Sequence, residues 1–380
     1  MRGSILQKKG REGKGHPWYI ILDVTDEDGK RKRKWFSGYK SKREAEKALP
    51  DLIKEIEGGA HAAKSTTMGS FMTQWLEDKK PAIRYNTWKK YDWLIRIHIV
   101  PSLGKHALDK LKPAHLQAFY AKLSTDADLS ARSILHTHRL LYLALSTAVK
   151  WGLVTRNIAM AVEPPKPERF EPNVWTMEQA MAFLEYTNAN EPRYYVVYSL
   201  AIMTGMRKTE ITGLKWSDID WEHGVVTVQR SLDYVHKEPI VKEVKTAGGR
   251  RNVTLPSLVL EALAHQRQLQ EKDRQTFKSV YRVDDWVCTN ELGYPMSPYS
   301  VTTSWYRALE AANAPRIRFH DLRHTHASLL LSQGVHPKIV SERLGHSNIQ
   351  ITLDTYSHLL PNVQAEASAA FDAAMRATKK

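Results

Sequence analysis

Hydrophobic positions follow three different rhythms along this chain, and each predicts a different kind of structure. In the first 60 residues β-branched and aromatic side chains run together. Trp18-Tyr19-Ile20-Ile21-Leu22-Asp23-Val24 reads as a strand, Asp28-Gly29 as a hairpin turn, and residues 30–38, with Trp35 and Phe36, as the returning strand. Ser41 opens a charged helix through Ala45 and Ala48, which Pro50 is expected to kink or restart. The stretch Gly58-Gly59-Ala60-His61-Ala62-Ala63 reads as a linker.

From about 65 to 165 the apolar residues recur at helical spacing. Thr67, followed by Phe71, Trp75 and Leu76, begins one helix. Residues 86–98 make a second, expected to end before Pro101, and a third begins near Lys112-Pro113-Ala114-His115-Leu116. A fourth spans 129–151, with Ile134, Leu141, Leu145 and Val149 as its buried stripe. Pro164-Pro165-Lys166-Pro167 then breaks the helical pattern. Beyond about 170 the chain is mostly helical again. Trp175-Thr176 with Gln179 is a capping-box start, and strands are expected at 225–228, around 240–245, and at 251–255 after the turn Ala247-Gly248-Gly249. The fold class is therefore multidomain α+β. Residues 1–60 form a small amino-terminal β-sheet plus helix, 65–165 a helical bundle, and 170–380 a mainly α domain with a small antiparallel sheet.

Charge adds a partner. The 380 residues hold 56 Lys and Arg against 41 Asp and Glu, a net +15, which points to a polyanion because phosphate contacts release condensed counterions. The excess is uneven: residues 1–50 carry 14 basic and 7 acidic side chains. There, basic residues interleave with Trp18, Tyr19, Trp35, Phe36 and Tyr39, which suits a sheet laid against duplex DNA. In the bundle, Arg84, Lys89, Lys90, Arg96, Arg132 and Arg139 occupy the faces opposite the apolar stripes. No run of about 18 apolar residues suggests a membrane span, and the basic, Gly-rich first residues do not read as a signal peptide. The lone Cys288 allows no intrachain disulfide and reads as a buried small hydrophobe, in keeping with a reducing cytoplasm. No Gly-x-x-x-x-Gly-Lys loop and no metal-ligand spacing occurs, so neither nucleotide cofactor nor metal is expected.

Six residues in the carboxy-terminal half carry chemistry. Arg207 lies in Thr204-Gly205-Met206-Arg207-Lys208-Thr209-Glu210, and Lys245 in Val244-Lys245-Thr246. His320 and Arg323 lie in His320-Asp321-Leu322-Arg323-His324-Thr325, His346 in Leu344-Gly345-His346-Ser347, and Tyr356 in Thr355-Tyr356-Ser357-His358. Each alone is ordinary; an Arg after Thr-Gly is commonly a salt-bridge partner, and a Tyr commonly core. Together they resemble the tyrosine recombinase (phage integrase) family, and the resemblance runs through essentially the whole chain.

The resemblance implies strand cleavage and rejoining through a covalent phosphotyrosine, with no metal and no ATP. Arg207 and Arg323 suit the non-bridging phosphate oxygens, since a guanidinium binds them bidentately and stays charged. Tyr356 is the implied nucleophile, its phenolate favoured by the arginines, with His320 accepting or relaying the proton. Lys245 would protonate the leaving 5′ oxygen, and His346 would hydrogen-bond a non-bridging oxygen. Glu210 and Asp321 read as residues that orient helix and arginine, and His324, His326 and His358 as packing or surface residues. The family pattern also makes 1–60 an arm-type DNA-binding domain, 65–165 a SAM-like core-binding domain, and 170–380 the catalytic domain. Implied partners are core and arm attachment DNA, three further copies in a tetramer, an excision or directionality factor, and a host DNA-bending protein. The Ala-rich tail, with Phe371 and Met375 four residues apart, is expected to dock, on its own catalytic domain or on a neighbouring protomer. A type IB topoisomerase, a resolvase of chromosome dimers and a DNA-binding factor without catalysis are the competing readings. The amino-terminal sheet and the His346 string favour a recombinase of a phage or integrative element.

Overall fold

Alternation along the first strands settles which side of the amino-terminal sheet is buried. The computed structural model describes residues 3–7, 18–25, 31–57, 66–168, 172–235, 238–243 and 250–356, together with 368, 371–373, 375 and 376. It divides into two units, Met1–Arg169 and Phe170–Lys380. Strands β1 (Gly3–Gln7), β2 (Trp18–Thr25) and β3 (Arg31–Tyr39) form an antiparallel sheet in that order, covered by helix α1 (Lys42–Glu57). Ile20 and Leu22 are fully buried with Ala45 of α1, and Trp18, Phe36, Tyr39 and Leu49 pack around them. Successive strand residues point to opposite faces, so Tyr19 and Trp35 stand on the other side, their rings edge to face at 6.1 Å. The five aromatics interleaved with the basic residues therefore divide, three to the core and two to the open face.

Strand β1 is an addition to the sequence reading. Gly3 allows it to sit close, because a Cβ there would lie 2.5 Å from Leu22 Cδ2. Helix α1 neither breaks nor restarts at Pro50. The apolar face of Ala48, Leu49, Leu52 and Ile53 packed on the sheet outweighs the one backbone hydrogen bond that proline removes. Ser41 starts the helix, its Oγ accepting from the Glu44 N–H at 3.2 Å. The Asp28-Gly29 turn and the linker at 58–63 lie outside the described residues.

The bundle comprises α2 (Met68–Lys79), α3 (Tyr85–Leu94), α4 (Val100–Leu103), α5 (Pro113–Thr125) and α6 (Ala131–Lys150). Thr67 and Ser130 cap α2 and α6 by accepting from Ser70 and Ser133 N–H groups, and Pro113 begins α5 at a position where its missing N–H does no harm. Met68, Met72, Trp75, Leu116, Leu141 and Ala144 are among the fully buried residues of its core. The helix after Asn86 does not stop before Pro101. A π-helical turn at Ile95–Ile99 joins α3 to α4, and this wider turn accommodates the proline's missing donor.

The second unit contains α7 (Met177–Asn190), α8 (Pro192–Thr204), α9 (Lys208–Thr212), strands β4 (Ile219–Asp220), β5 (Val225–Val228), β6 (Arg230–Val235), β7 (Glu238–Glu243) and β8 (Arg251–Thr254), then α10 (Ser257–Phe277), α11 (Pro298–Ala311), α12 (Asp321–Ser332), α13 (Pro337–Leu344) and α14 (Ile349–Tyr356). Thr176 and Gln179 form both halves of the expected capping box. Instead of one small sheet there are two: β4-β5-β8, and a separate β6-β7 hairpin that claims the strand near 240. Trp175, Phe183, Tyr198, Trp305 and Phe319 interlock at the centre of the main core, which also takes up the fully buried Cys288. A second, smaller cluster of Ala327, Leu331, Val340, Leu344 and Tyr356 joins α12, α13 and α14. Phe371 and Met375 of the tail are exposed.

Candidate active site

Two helix ends set the first arginine. Helix α8 stops at Gly205, whose φ of +66° is the left-handed value that glycine adopts without strain. No side chain fits there in any case, since a Cβ would lie 2.6 Å from Leu344 Cδ2 and 2.7 Å from His326 Cδ2. The chain then reverses into α9 with Arg207 as its cap. Glu210, one turn on, accepts from the Arg207 N–H at 2.9 Å and from its guanidinium at 2.7 Å. The Arg207 side chain remains 40% exposed, so the group is fixed at one end and open to a ligand at the other.

Arg323 ties the separate strings together. It is buried, and its guanidinium donates to the Gly205 carbonyl at 2.8 Å and to the Leu344 carbonyl at 2.5 Å. Gly205 is two residues before Arg207, and Leu344 two before His346. One side chain on α12 thus positions both other strings and keeps further N–H groups for an anion. Burial, and secondarily Arg207, push its pKa down to about 9, which leaves it charged at neutral pH. Behind it lies an arginine the sequence reading did not single out. Arg251 of β8 donates to both Glu210 oxygens, at 3.2 and 2.8 Å, and its Nε donates to the Arg343 carbonyl at 2.8 Å. Burial alone would raise the Glu210 pKa, but the Arg251 and then Arg207 contacts outweigh it and hold the carboxylate below its ordinary range. Asp321 holds the helix as expected, but through another arginine. It accepts from the Arg318 N–H and guanidinium, at 2.8 and 2.6 Å, and so fixes the start of α12 rather than Arg323.

The histidines sort by environment. His320 precedes α12 and is exposed, with its pKa lowered by the surrounding protein and by Arg323. His346 follows the left-handed Gly345 at the end of α13, and its Nδ1 lies 2.8 Å from Thr352 Oγ1. Burial, then Arg323 and Arg207, push its pKa down to about 4. His326 is a buried packing residue, as expected: it meets the Ile202 carbonyl at 2.9 Å, and Arg343 Nε donates to its Nε2 at 3.1 Å. His324 departs from that expectation. Its Nδ1 is 2.5 Å from the Tyr356 hydroxyl, and its ring lies edge to face with His320 at 5.5 Å. The sequence did hold a signal for it, because His320 and His324 are four apart and fall on one side of a helical turn.

Tyr356 itself ends α14 with 2% of its surface exposed. Burial pushes its phenol pKa up, and the pull of Arg323 toward phenolate does not overcome it. Of the six sequence-predicted residues, Arg207, His320, Arg323, His346 and Tyr356 converge on this one region. Lys245 and His358 lie outside the described residues.

A chain that places arginines, histidines and a tyrosine in this way can be compared with known proteins. Residues 173–362 match the model of the phage integrase family, 67–124 that of the phage integrase N-terminal SAM-like domain, and 6–56 that of an arm DNA-binding domain. A XerC-like tyrosine recombinase of Caldanaerobacter subterraneus subsp. tengcongensis is 31% identical over 388 residues, covering 95% of this chain and 98% of the relative. The chain belongs to the phage integrase family. Another family member, the ICEBs1 integrase of Bacillus subtilis, is 24% identical over 332 residues, covering 86% and 88% of the two chains. Among solved structures, the Tn1549 transposon integrase in complex with a circular intermediate DNA superposes with a TM-score of 0.69 at 21% identity, over 80% of this chain and 99% of that one. The λ integrase tetramer bound to a Holliday junction gives 0.58 at 18% identity, over 87% and 93%. These two likenesses establish the shared integrase fold, mostly helical with small antiparallel sheets.

Proposed function

We propose that this integrase-family recombinase cleaves and rejoins DNA strands through a 3′-phosphotyrosine on Tyr356, integrating or excising a phage or other mobile element. The observation that carries the residue roles is Arg323, which joins the Arg207 and His346 strings while Tyr356 packs beside the same helix in the same chain. Arg207 and Arg323 bind the non-bridging oxygens and bind them more strongly as the phosphorus becomes pentacoordinate. His346 adds a hydrogen bond to the same oxygens. Lys245 supplies the proton to the leaving 5′ oxygen, as its flexible ammonium allows. Three cationic side chains meet the charge demand of the transition state without a metal, and the phosphotyrosine conserves the bond so that no ATP is consumed.

Domain roles follow the same reading. Residues 1–60 bind arm-type sites, 65–165 grip the core site, and 170–380 carry the chemistry. The open face of the amino-terminal sheet, with Tyr19, Trp35 and Arg33, is the surface for arm DNA. The λ integrase is seen as a tetramer on a Holliday junction; a tetramer on DNA is the assembly proposed here, with the exposed Phe371 and Met375 of the tail docking on a neighbour. An excision or directionality factor and a host DNA-bending protein are the accessory partners. Among the described residues no helix is long and apolar enough to cross a membrane, and the proposed place of work is the host cytoplasm, on its DNA. The deciding experiment is a nicked suicide duplex carrying the core site. The protein should form a covalent adduct, and Tyr356→Phe should bind this DNA normally yet form none. Adduct formation by the Phe variant at the normal yield would move the nucleophile elsewhere.

A further inference from the structure

The Tyr356 hydroxyl has its hydrogen-bond partner outside the six residues. His324 Nδ1 sits 2.5 Å from it, and the two ring centroids are 5.7 Å apart. His324 directly follows Arg323 on α12, so the side chain that ties the site together and the one that holds the phenol are neighbours on one rigid element. The phenol is 2% exposed, which limits the access of water as a proton acceptor. His320, to which the family pattern assigns proton transfer, presents its ring to His324 edge to face instead. Other groups facing the imidazole electrostatically are Asp321, Arg318 and Arg323, and burial together with His320 keeps His324 neutral by pushing its pKa down to about 4. A neutral imidazole with its ring proton on Nε2 offers a lone pair at Nδ1.

We propose that His324, rather than His320, accepts the phenol proton as Tyr356 attacks, an inference that rests on the reading of Tyr356 as nucleophile. In the step, the Tyr356 Oη–phosphorus bond forms and the phosphorus–O5′ bond breaks. The phenol proton passes to His324 Nδ1, and the leaving O5′ takes its proton from the Lys245 ammonium. Religation runs the same transfers backwards: the free 5′ hydroxyl returns a proton to Lys245, and the imidazolium returns one to the departing phenol. The phosphate stands against the imidazolium during the intermediate and offsets the neighbouring arginines.

The test uses the full-length protein and the nicked core-site duplex, reading adduct formation and DNA binding separately. His324→Asn retains an acceptor atom near the Nδ1 position but takes up no proton. Both it and His324→Ala should form adduct at least ~10²-fold more slowly than the unaltered protein, with DNA binding unchanged. Installing 3,5-difluorotyrosine at 356, a more acidic phenol, should restore much of the rate to His324→Asn and little to Arg323→Ala. A near-normal rate for His324→Asn, or a defect untouched by the fluorinated phenol, would overturn the assignment. Adduct formation by Tyr356→Phe would instead overturn the nucleophile on which it rests, and the two failures are read from different proteins.

Discussion

Two Arg–carboxylate pairs, one buried and one exposed, show how differently one basic chain can use its positive charge. Arg251 and Glu210 meet at 2.8 Å with side chains 6% and 5% exposed, inside the site. Arg33 and Asp23 meet at 3.2 Å with side chains 75% and 55% exposed, on the open face of the amino-terminal sheet. Coulomb attraction in water is small and screened, so the surface pair leaves its arginine free to exchange a carboxylate for a phosphate. The buried pair is different. Each charge has lost its hydration and depends on its partners, so the arginine holds one geometry. Positive charge inside the second unit is therefore suited to placing groups, and on the open sheet face to attracting an anion.

Removing Glu210 should have the largest effect. Glu210→Ala strands Arg251 as an unpaired buried cation and releases Arg207, a loss of ~3–5 kcal/mol by the usual cost of breaking a buried pair. Hydrogen exchange should show that loss in α9, β8 and α13, while the amino-terminal sheet keeps its protection. Unchanged protection in α9 would mean that the buried network does not hold the site. Next comes the chemistry. Arg323→Ala should lower the cleavage rate by ~10²–10³-fold, in the range seen when one preorganised charge donor is removed. A substrate with sulfur in place of the bridging 5′ oxygen should restore Lys245→Ala, because thiolate leaves without an acid, and should not restore Arg323→Ala. Equal restoration of both would reassign the acid.

The same contrast explains what the sequence could disclose. Arg207, Arg323, His346 and Tyr356 stood out because each sits in a short string whose residue types suit phosphate chemistry. Arg251 did not, for its partner Glu210 is 41 residues away and only the tertiary fold joins them. His324 was passed over because its role depends on where α14 delivers Tyr356, which no local spacing reveals. In the fold, Thr67 and Thr176 marked helix starts through local capping. Pro50 and Pro101 misled, since a packed apolar face carries α1 through the one and a π turn absorbs the other. The aromatics of the first strands were legible as strand residues, but strand pairing was needed to show that Phe36 and Tyr39 face α1 and Trp35 does not.

Acid should weaken the two regions unequally. The pKa values of His324 and His346 are pushed down to about 4, and that of His326 to about 3, chiefly by burial, from an ordinary value of 6.5. The unfolded chain therefore takes up protons first. The neutral histidines' stability contribution is complete above pH 6.5 and is lost progressively as pH falls toward 4. Residues 18–57 contain no histidine. Over that window, hydrogen exchange corrected for its intrinsic pH dependence should rise in α12 and α13 and stay flat in β2 and β3. A parallel rise in both would assign the loss to something other than these imidazoles.

The smallest expected effect on stability belongs to Arg33→Ala. The pair with Asp23 is exposed on both sides, and such pairs contribute ~0.2–1 kcal/mol at most. The change also leaves the Ile20–Leu22 core beneath α1 untouched, because Arg33 lies on the Trp35 side of the sheet. Thermal unfolding should therefore hardly move. Binding to arm-site DNA should weaken, and the slope of log affinity against log salt concentration should flatten by about 1, one phosphate contact having been removed. Core-site cleavage should not change, since the ion pair of Arg33 is with Asp23 of its own sheet. A stability loss well above ~1 kcal/mol with an unchanged salt slope would place Arg33 with the buried arginines and erase the distinction between the two regions.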